Sequence, residues 1–163
     1  MKNGIVIADS GPIISLACIN KLSLLDLLFD KVAIAEAVWI ELTADASKPF
    51  FSSIVEYFTD KVVKITGFND LTFVMDFGES ESVILYKELA ANFLLIDDKK
   101  ARLIAENFNI NCIGTIGLLD FAKKKGYVTA LKPLFQTFLK HKRFYGTDLM
   151  NLVLLKNNET ELP

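Results

Sequence analysis

By pattern the 163-residue chain is an α/β protein: a three-layer α/β/α domain on a five-stranded parallel sheet with extra helices at its C-terminal end, the expected strand order being 3-2-1-4-5 if the order reverses at the first strand. Three observations predict this. Short apolar runs at 5–8, 31–35, 62–65, 93–96 and 111–113 have the length and composition of fully buried strands. Segments of helical periodicity separate them, and parallel strands need such crossovers. Hydrophobic residues form 52% of the chain, with thirteen Phe, which suffices to cover both faces of a sheet. One domain over 1–155, long enough to bury most of the surface its unfolded chain exposes, is followed by a polar tail, 156–163, expected to fray.

Ile5-Val6-Ile7-Ala8 is the first strand and ends at Asp9, where Ser10-Gly11-Pro12 forces a bend. Leu16, Ile19, Leu22, Leu25 and Leu28 then recur every three residues, the stripe of a helix over 13–29 that Asn20 or Ser23 divides. The second strand leads into a helix over 36–43 with Val38, Trp39 and Leu42 inward and Glu41 off that stripe. Residues 44–49 break the pattern, a helix over 50–58 follows, and then the third strand. The segment 67–77 is connecting loop, although Leu71 to Met75 is apolar enough for a strand or a partner-facing edge. A helix over 79–91, the fourth strand ending at Asp97-Asp98, a helix over 99–108, the fifth strand and a helix over 115–125 complete the alternation. Two last helices, 130–141 and 147–155, come after the sheet; Phe135, Phe138, Phe144 and Tyr145 serve either the core or an interface.

In an open α/β sheet, ligands bind beyond the carboxyl ends of the strands, where the strand order reverses. Asp9 ends the first strand and Asp97 and Asp98 end the fourth, which this order makes neighbours. A helix preceding a parallel strand runs opposite to it, so the helix start at Glu79 and Glu81 lies at the same edge. Glu41 is under two turns into its helix, roughly 7–9 Å along the axis and within a side chain's reach. Each acid also has a plainer reading. Asp9 is as apt to cap a helix as to serve a site, and Ser10 can cap alone. Glu79 and Glu81 complement a helix dipole, the better account of Glu81. Asp98 caps the helix from Lys99, leaving Asp97 as the ligand, and Glu41 is one more solvated acid. Taken together, carboxylates crowded at a crevice repel unless a cation or protons neutralise them. Oxygen ligands without Cys or His suit Mg²⁺ or Mn²⁺ rather than zinc. Such ions activate water and stabilise charge on a phosphoryl oxygen, so phosphodiester hydrolysis is the chemistry indicated.

Four stretches in order resemble a PIN domain over nearly the whole chain: Ile-Val-Ile-Ala-Asp9-Ser-Gly-Pro, Ala-Val-Trp-Ile-Glu41-Leu, Gly-Glu79-Ser-Glu and Leu-Leu-Ile-Asp97-Asp-Lys-Lys-Ala-Arg102. The resemblance extends to VapC-type prokaryotic ribonuclease toxins of the Gly-Glu-x-Glu subgroup, which carry a later Gly-Thr-x-Gly, here Gly114-Thr115-Ile116-Gly117. It implies a metal-dependent endoribonuclease in which Asp9, Glu41, Glu79 and Asp97 bind Mg²⁺ or Mn²⁺ and orient a water against RNA, with Asp98 an alternative ligand beside Asp97. Ser10 would hold the first acid or the scissile phosphate, and Lys99 and Arg102 would contact phosphates beside it. The same resemblance implies a toxin that is a homodimer held inactive by a small antitoxin. Glu79 stands where many PIN domains have Asp, one methylene shorter.

Two other classes fit some of these residues. One is a PIN-like binding module without catalysis. The other is a receiver-like signalling domain, whose acidic pair is similar to Asp97-Asp98. There, however, the pair follows the first strand, and here it comes late, with no Lys after 111–113. A net charge of −2 argues against a broad basic face. RNA would be gripped locally, by a metal and by runs such as Lys123-Lys124-Lys125 and Lys140 to Arg143, which equally suit helix ends. His141, the only histidine, sits in such a run and is a poor general base. Cys18 and Cys112 lie apart in apolar surroundings, as reduced thiols do. The Met1 to Gly4 start has no signal-peptide pattern, and no apolar run reaches the ~20 residues that span a bilayer. A cytoplasmic protein with no membrane partner is the expectation.

Overall fold

The computed structural model describes residues 2–163. Its five strands form a parallel sheet in the order β3-β2-β1-β4-β5. β1 (Ile5–Ala8) lies in the middle, pairing Val6 with Val32 of β2 (Lys31–Ala35) and with Phe93 of β4 (Phe93–Leu95). β3 (Val62–Val63) pairs outside β2, and β5 (Cys112–Ile113) outside β4. Val6, Ile7, Ala8, Leu94 and Leu95 are wholly buried, as strands covered by helices on both faces must be. All five strands and their order are those the sequence predicts. β3 stops before its apolar run does, because its last partner is Ala35, where β2 itself ends.

The first crossover is α1 (Ser10–Cys18) and α2 (Leu24–Leu28), divided at Asn20, whose left-handed φ of 54° asparagine tolerates. After β2 come α3 (Glu36–Thr43) and α4 (Phe51–Phe58). The stretch around Leu71 is a 3₁₀ turn, Leu71–Phe73, and not a strand: Val74 and Met75 both donate to the Leu71 carbonyl, curling the chain. Met75 is buried there, whereas Phe73 is 91% exposed. α5 (Phe77–Glu88) starts two residues before the predicted point because Asp76 caps it. Asp76 accepts from the Glu79 N–H at 2.8 Å and Glu79 accepts from the Asp76 N–H at 3.3 Å, a reciprocal box. α6 (Lys99–Asn107) follows β4, and α7 (Thr115–Lys124) follows β5.

α8 (Lys132–Lys140) and α9 (Thr147–Lys156) close the core rather than hang from it. Phe135 and Phe138 have no exposure, and each such burial is worth about 1.5–3 kcal/mol, so these two belong to the core and not to an interface. Phe144 is the opposite case, exposed on the surface. The tail does not fray. The Glu159 carboxylate accepts from the Leu131 and Lys132 N–H groups and pairs with Lys123, and Leu162 is buried. An acid from the tail thus satisfies the N-terminal donors of α8, which has no side-chain cap of its own. Among the described residues, no helix is long and apolar enough to cross a membrane.

Candidate active site

Asp9 sits one residue past β1, and its N–H bonds the Leu95 carbonyl at 2.9 Å, carrying the β1–β4 ladder to the edge of the crevice. Its backbone has the geometry of an N-cap for α1, yet its side chain makes no capping bond, so the capping role open to it in the sequence is not taken up. The residue is only 7% exposed. Burial pushes its pKa from 3.8 up to about 7; the Ser10 N–H draws it back in part, and the charges of Glu79, Asp76 and Glu41 raise it further. Asp9 is a buried acid whose neighbours are acids.

Those neighbours come from two helices, α3 and α5 with the residue that caps it. Glu41 lies in the second turn of α3, where the Ser10 hydroxyl donates to its Oε1 at 3.0 Å. Its Oε2 lies above Gly78 of α5, where a Cβ would stand 3.1 Å away. Glycine here lets α3 and α5 approach so that Glu41 and the start of α5 share one mouth. Glu79 is half-buried, and its pKa is raised by burial and then by the charges of Asp76, Asp98 and Glu41, against the pull of the Asp76 N–H. Asp98 caps α6 through the Ala101 N–H at 2.7 Å while adding its charge beside Glu79. Among the described residues, none of these carboxylates is ion-paired with Lys or Arg.

Asp97, at the end of β4, has a different setting. Its Oδ1 accepts from the Thr115 N–H at 2.7 Å, and its Oδ2 accepts from the Thr115 hydroxyl and the Tyr145 hydroxyl, both at 2.7 Å. Tyr145 also meets Ser15, which in turn accepts from the Arg143 Nε; the Arg143 guanidinium donates to the Gly11 carbonyl as well. The chain between α8 and α9 thereby ties the Asp97 side of the crevice to α1. Arg102 lines the cleft with Asp97, packed where a Cβ on Gly114 would stand 3.0 Å from its guanidinium. Lys99 and Lys100 open α6 and are exposed. Glu81, which the sequence assigns to a dipole, accepts from the Ala37 N–H at 2.9 Å and caps α3 from the neighbouring helix.

Three residues that the sequence does not assign to the site matter here. Asp76 carried a signal, an Asp three residues before Glu79 ahead of a helix, which is the capping pattern. Thr115, named only within the Gly-Thr-x-Gly stretch, opens α7 with its N–H and hydroxyl on Asp97. Tyr145 carried no signal, because its partner lies 48 positions away in sequence.

The carboxylates are the hard oxygen donors that Mg²⁺ or Mn²⁺ prefers, and the raised Asp9 and Glu79 report negative charge that no protein cation answers. In kind, the donors fit a divalent ion. In spacing they are open: among the described residues, no three of His, Cys, Asp or Glu are gathered closely enough to hold a metal as they stand.

Comparison with curated proteins finds no match. A family model does match: that of DUF3368, a PIN domain, over residues 5–159, from the first residue of β1 to the glutamate that caps α8. Every strand and every helix named above lies inside that span, and the chain belongs to the PIN-domain family.

Proposed function

We propose that this protein is a metal-dependent endoribonuclease that hydrolyses phosphodiester bonds in RNA at the Asp9 mouth. PIN domains are generally nucleases, and they generally use divalent metals. The observation that carries the proposal is Asp9 itself: buried, without a cation, and raised to about 7 by burial and by three more acids. That arrangement disfavours the bare folded protein unless the site binds positive charge.

Asp9, Glu41, Glu79 and Asp97 are the assigned acids, with Asp76 added to them and Asp98 the alternative to Asp97. When bound, Mg²⁺ or Mn²⁺ supplies an activated water and charge stabilisation on the phosphoryl oxygen. Ser10 holds Glu41 in orientation through its hydroxyl. Thr115 and Tyr145 hold Asp97 in one rotamer, so the edge of β4 presents fixed oxygens. Arg102, with Lys99 at the mouth of α6, supplies positive charge for a phosphate. A toxin role, a small antitoxin and a homodimer complete the proposal on the strength of the sequence resemblance. Phe68, Phe73 and Phe144, each more than three-quarters exposed at 87%, 91% and 79%, are surface that such partners would cover.

A second reading, a PIN-like binding module without turnover, is favoured by the open spacing of the carboxylates. Incubating purified protein with single-stranded RNA in Mg²⁺, Mn²⁺ or EDTA separates the two. Cleavage that needs the metal and vanishes in Asp9→Asn is the expected result. Binding without cleavage in either metal would favour the module.

A further inference from the structure

Beside the mouth, a groove of about 260 Å³ runs between α1, the start of α4 and the turn after α8. Its floor is apolar: Leu42 and Ile54 lie in it, and the Phe50 ring meets the His141 ring edge-on at 5.6 Å. Its rim is basic, with Lys48, Lys142 and Arg143, and among the described residues neither lysine is ion-paired. Glu41 lines one end, so groove and acidic mouth share a wall. Phe50 adopts a left-handed φ of 67°, a conformation that an aromatic residue seldom takes. It is the third residue of a turn that Pro49 opens and that the Phe51 N–H closes by donating to the Lys48 carbonyl at 3.3 Å, so the turn sets the conformation. The turn leaves the ring edge-on to His141 in the wall of the groove.

We propose that this groove is a base-binding subsite: one unstacked base of a single-stranded RNA packs against Phe50 and His141 while its flanking phosphates lie on Lys48 and Lys142. The inference rests on the nuclease reading for its substrate class. Charge complementarity selects the occupant. A flat apolar ring carried on an anionic backbone matches an aromatic floor with a cationic rim, and base stacking on aromatic side chains is how single strands are gripped. The volume is below the roughly 300–1,000 Å³ of sites for drug-sized ligands, which suits a single base.

The test is fluorescence anisotropy of a labelled single-stranded RNA hexamer, in EDTA so that binding is read without cleavage. The proteins are wild type, Phe50→Gly and His141→Ala, and the RNAs are intact or carry one abasic nucleotide at each position in turn. Glycine adopts the Phe50 backbone conformation freely, so Phe50→Gly removes the ring without straining the turn; should it fail to fold, His141→Ala gives the same readout. Stacking on an aromatic side chain predicts that either variant weakens binding by about 5- to 100-fold. One abasic position should cost wild type the same factor and cost the variant nothing further. Unchanged affinity in both variants, indifference to every abasic position, or no RNA binding by wild type would overturn the subsite. So would equal losses for intact and abasic RNA, because the ring would then act on no base. Phe50-dependent binding with no cleavage in Mg²⁺ or Mn²⁺ would sink the nuclease and leave the subsite. Cleavage by Phe50→Gly with unchanged KM would do the reverse.

Discussion

Asp9 and Asp120 both show little surface, at 7% and 9% exposure, yet Asp9 lies deeper among protein atoms and their surroundings drive the two acids in opposite directions. Burial pushes both up. At Asp120 that push is outweighed by hydrogen bonds from Asn157 and Lys124 and by the charges of Lys124 and Lys156, so its carboxyl is held below the usual value. At Asp9 three more acids add to the push, and the pKa reaches about 7. Asp120 ties α7 to the end of α9, an acid whose charge is fully answered by the protein. Asp9 is left for something outside the protein to answer. The lesson is that low exposure alone does not mark a functional acid; depth of burial together with the sign of its neighbours does.

The sharpest break of this comparison is by substitution at each aspartate. Asp9→Asn should lower RNA cleavage by on the order of 10³-fold, through loss of charge at the metal mouth. Asp120→Asn should leave kcat within about threefold, since it lies outside that mouth, while costing about 1–3 kcal/mol of stability as a buried bond network is broken. Cleavage assays and urea melts on both variants check this; comparable activity losses would erase the distinction.

Stability against pH comes next. In the metal-free protein the folded pKa of Asp9 lies above its ordinary value of 3.8, so the folded state keeps a proton that the unfolded chain has lost. Its contribution to stability therefore falls as pH rises from about 4 to about 7 and stays lost above that. Asp9→Asn should remove this dependence and be more stable than wild type at pH 8 by on the order of 2–4 kcal/mol. Asp120 has the opposite sign: its lowered folded pKa stabilises above the ordinary value, and that stability is lost as pH falls through the folded pKa. Urea melts from about pH 2 to about pH 8 read both effects, the Asp9 loss above about pH 4 and the Asp120 loss below it.

Metal binding sharpens the contrast further. Mn²⁺ at a hundred times its Kd should stabilise wild type by about 2.7 kcal/mol and do far less for Asp9→Asn. Bound metal should also shift the acid limb of the cleavage profile below pH 7, roughly, because a nearby cation favours the charged carboxylate. A Tm series in Mn²⁺ and a pH–rate profile test these two points.

The smallest effect concerns Asp97, whose oxygens are already bonded. Tyr145→Phe removes the hydroxyl that bridges Asp97 and Ser15. It should cost about 0.5–1.5 kcal/mol of stability and lower kcat by about three- to tenfold with KM little changed, as expected of a residue that positions an acid. A change in KM alone would make Tyr145 a substrate contact instead.

Strands were legible because a strand buried on both faces must be apolar at every position, and a run such as Ile5 to Ala8 has few other uses. Asp9, Glu79 and Asp97 were legible as candidates because topology alone puts strand ends and helix starts on one edge. Asp98 as the cap of the helix from Lys99 was legible too, and the structure bears it out. That Asp97 takes three bonds from Thr115 and Tyr145, and that Glu81 caps α3, was not, because those partners come from other segments. The tail misled for the same reason: Glu159 and Asn157 read as polar and free until the start of α8 and Asp120 are set beside them.

What the amino-acid sequence determined by itself was the alternation of strand and helix and the parallel sheet with helices on both faces, since these follow from local periodicity and from the need of parallel strands for crossovers; the 3-2-1-4-5 order was an expectation that the fold bears out. Only the tertiary structure decided the charge state of the acids. A carboxylate's pKa is set by burial and by groups within a few ångströms, and around Asp9 those groups arrive from α3, the residue that caps α5, and α5 itself.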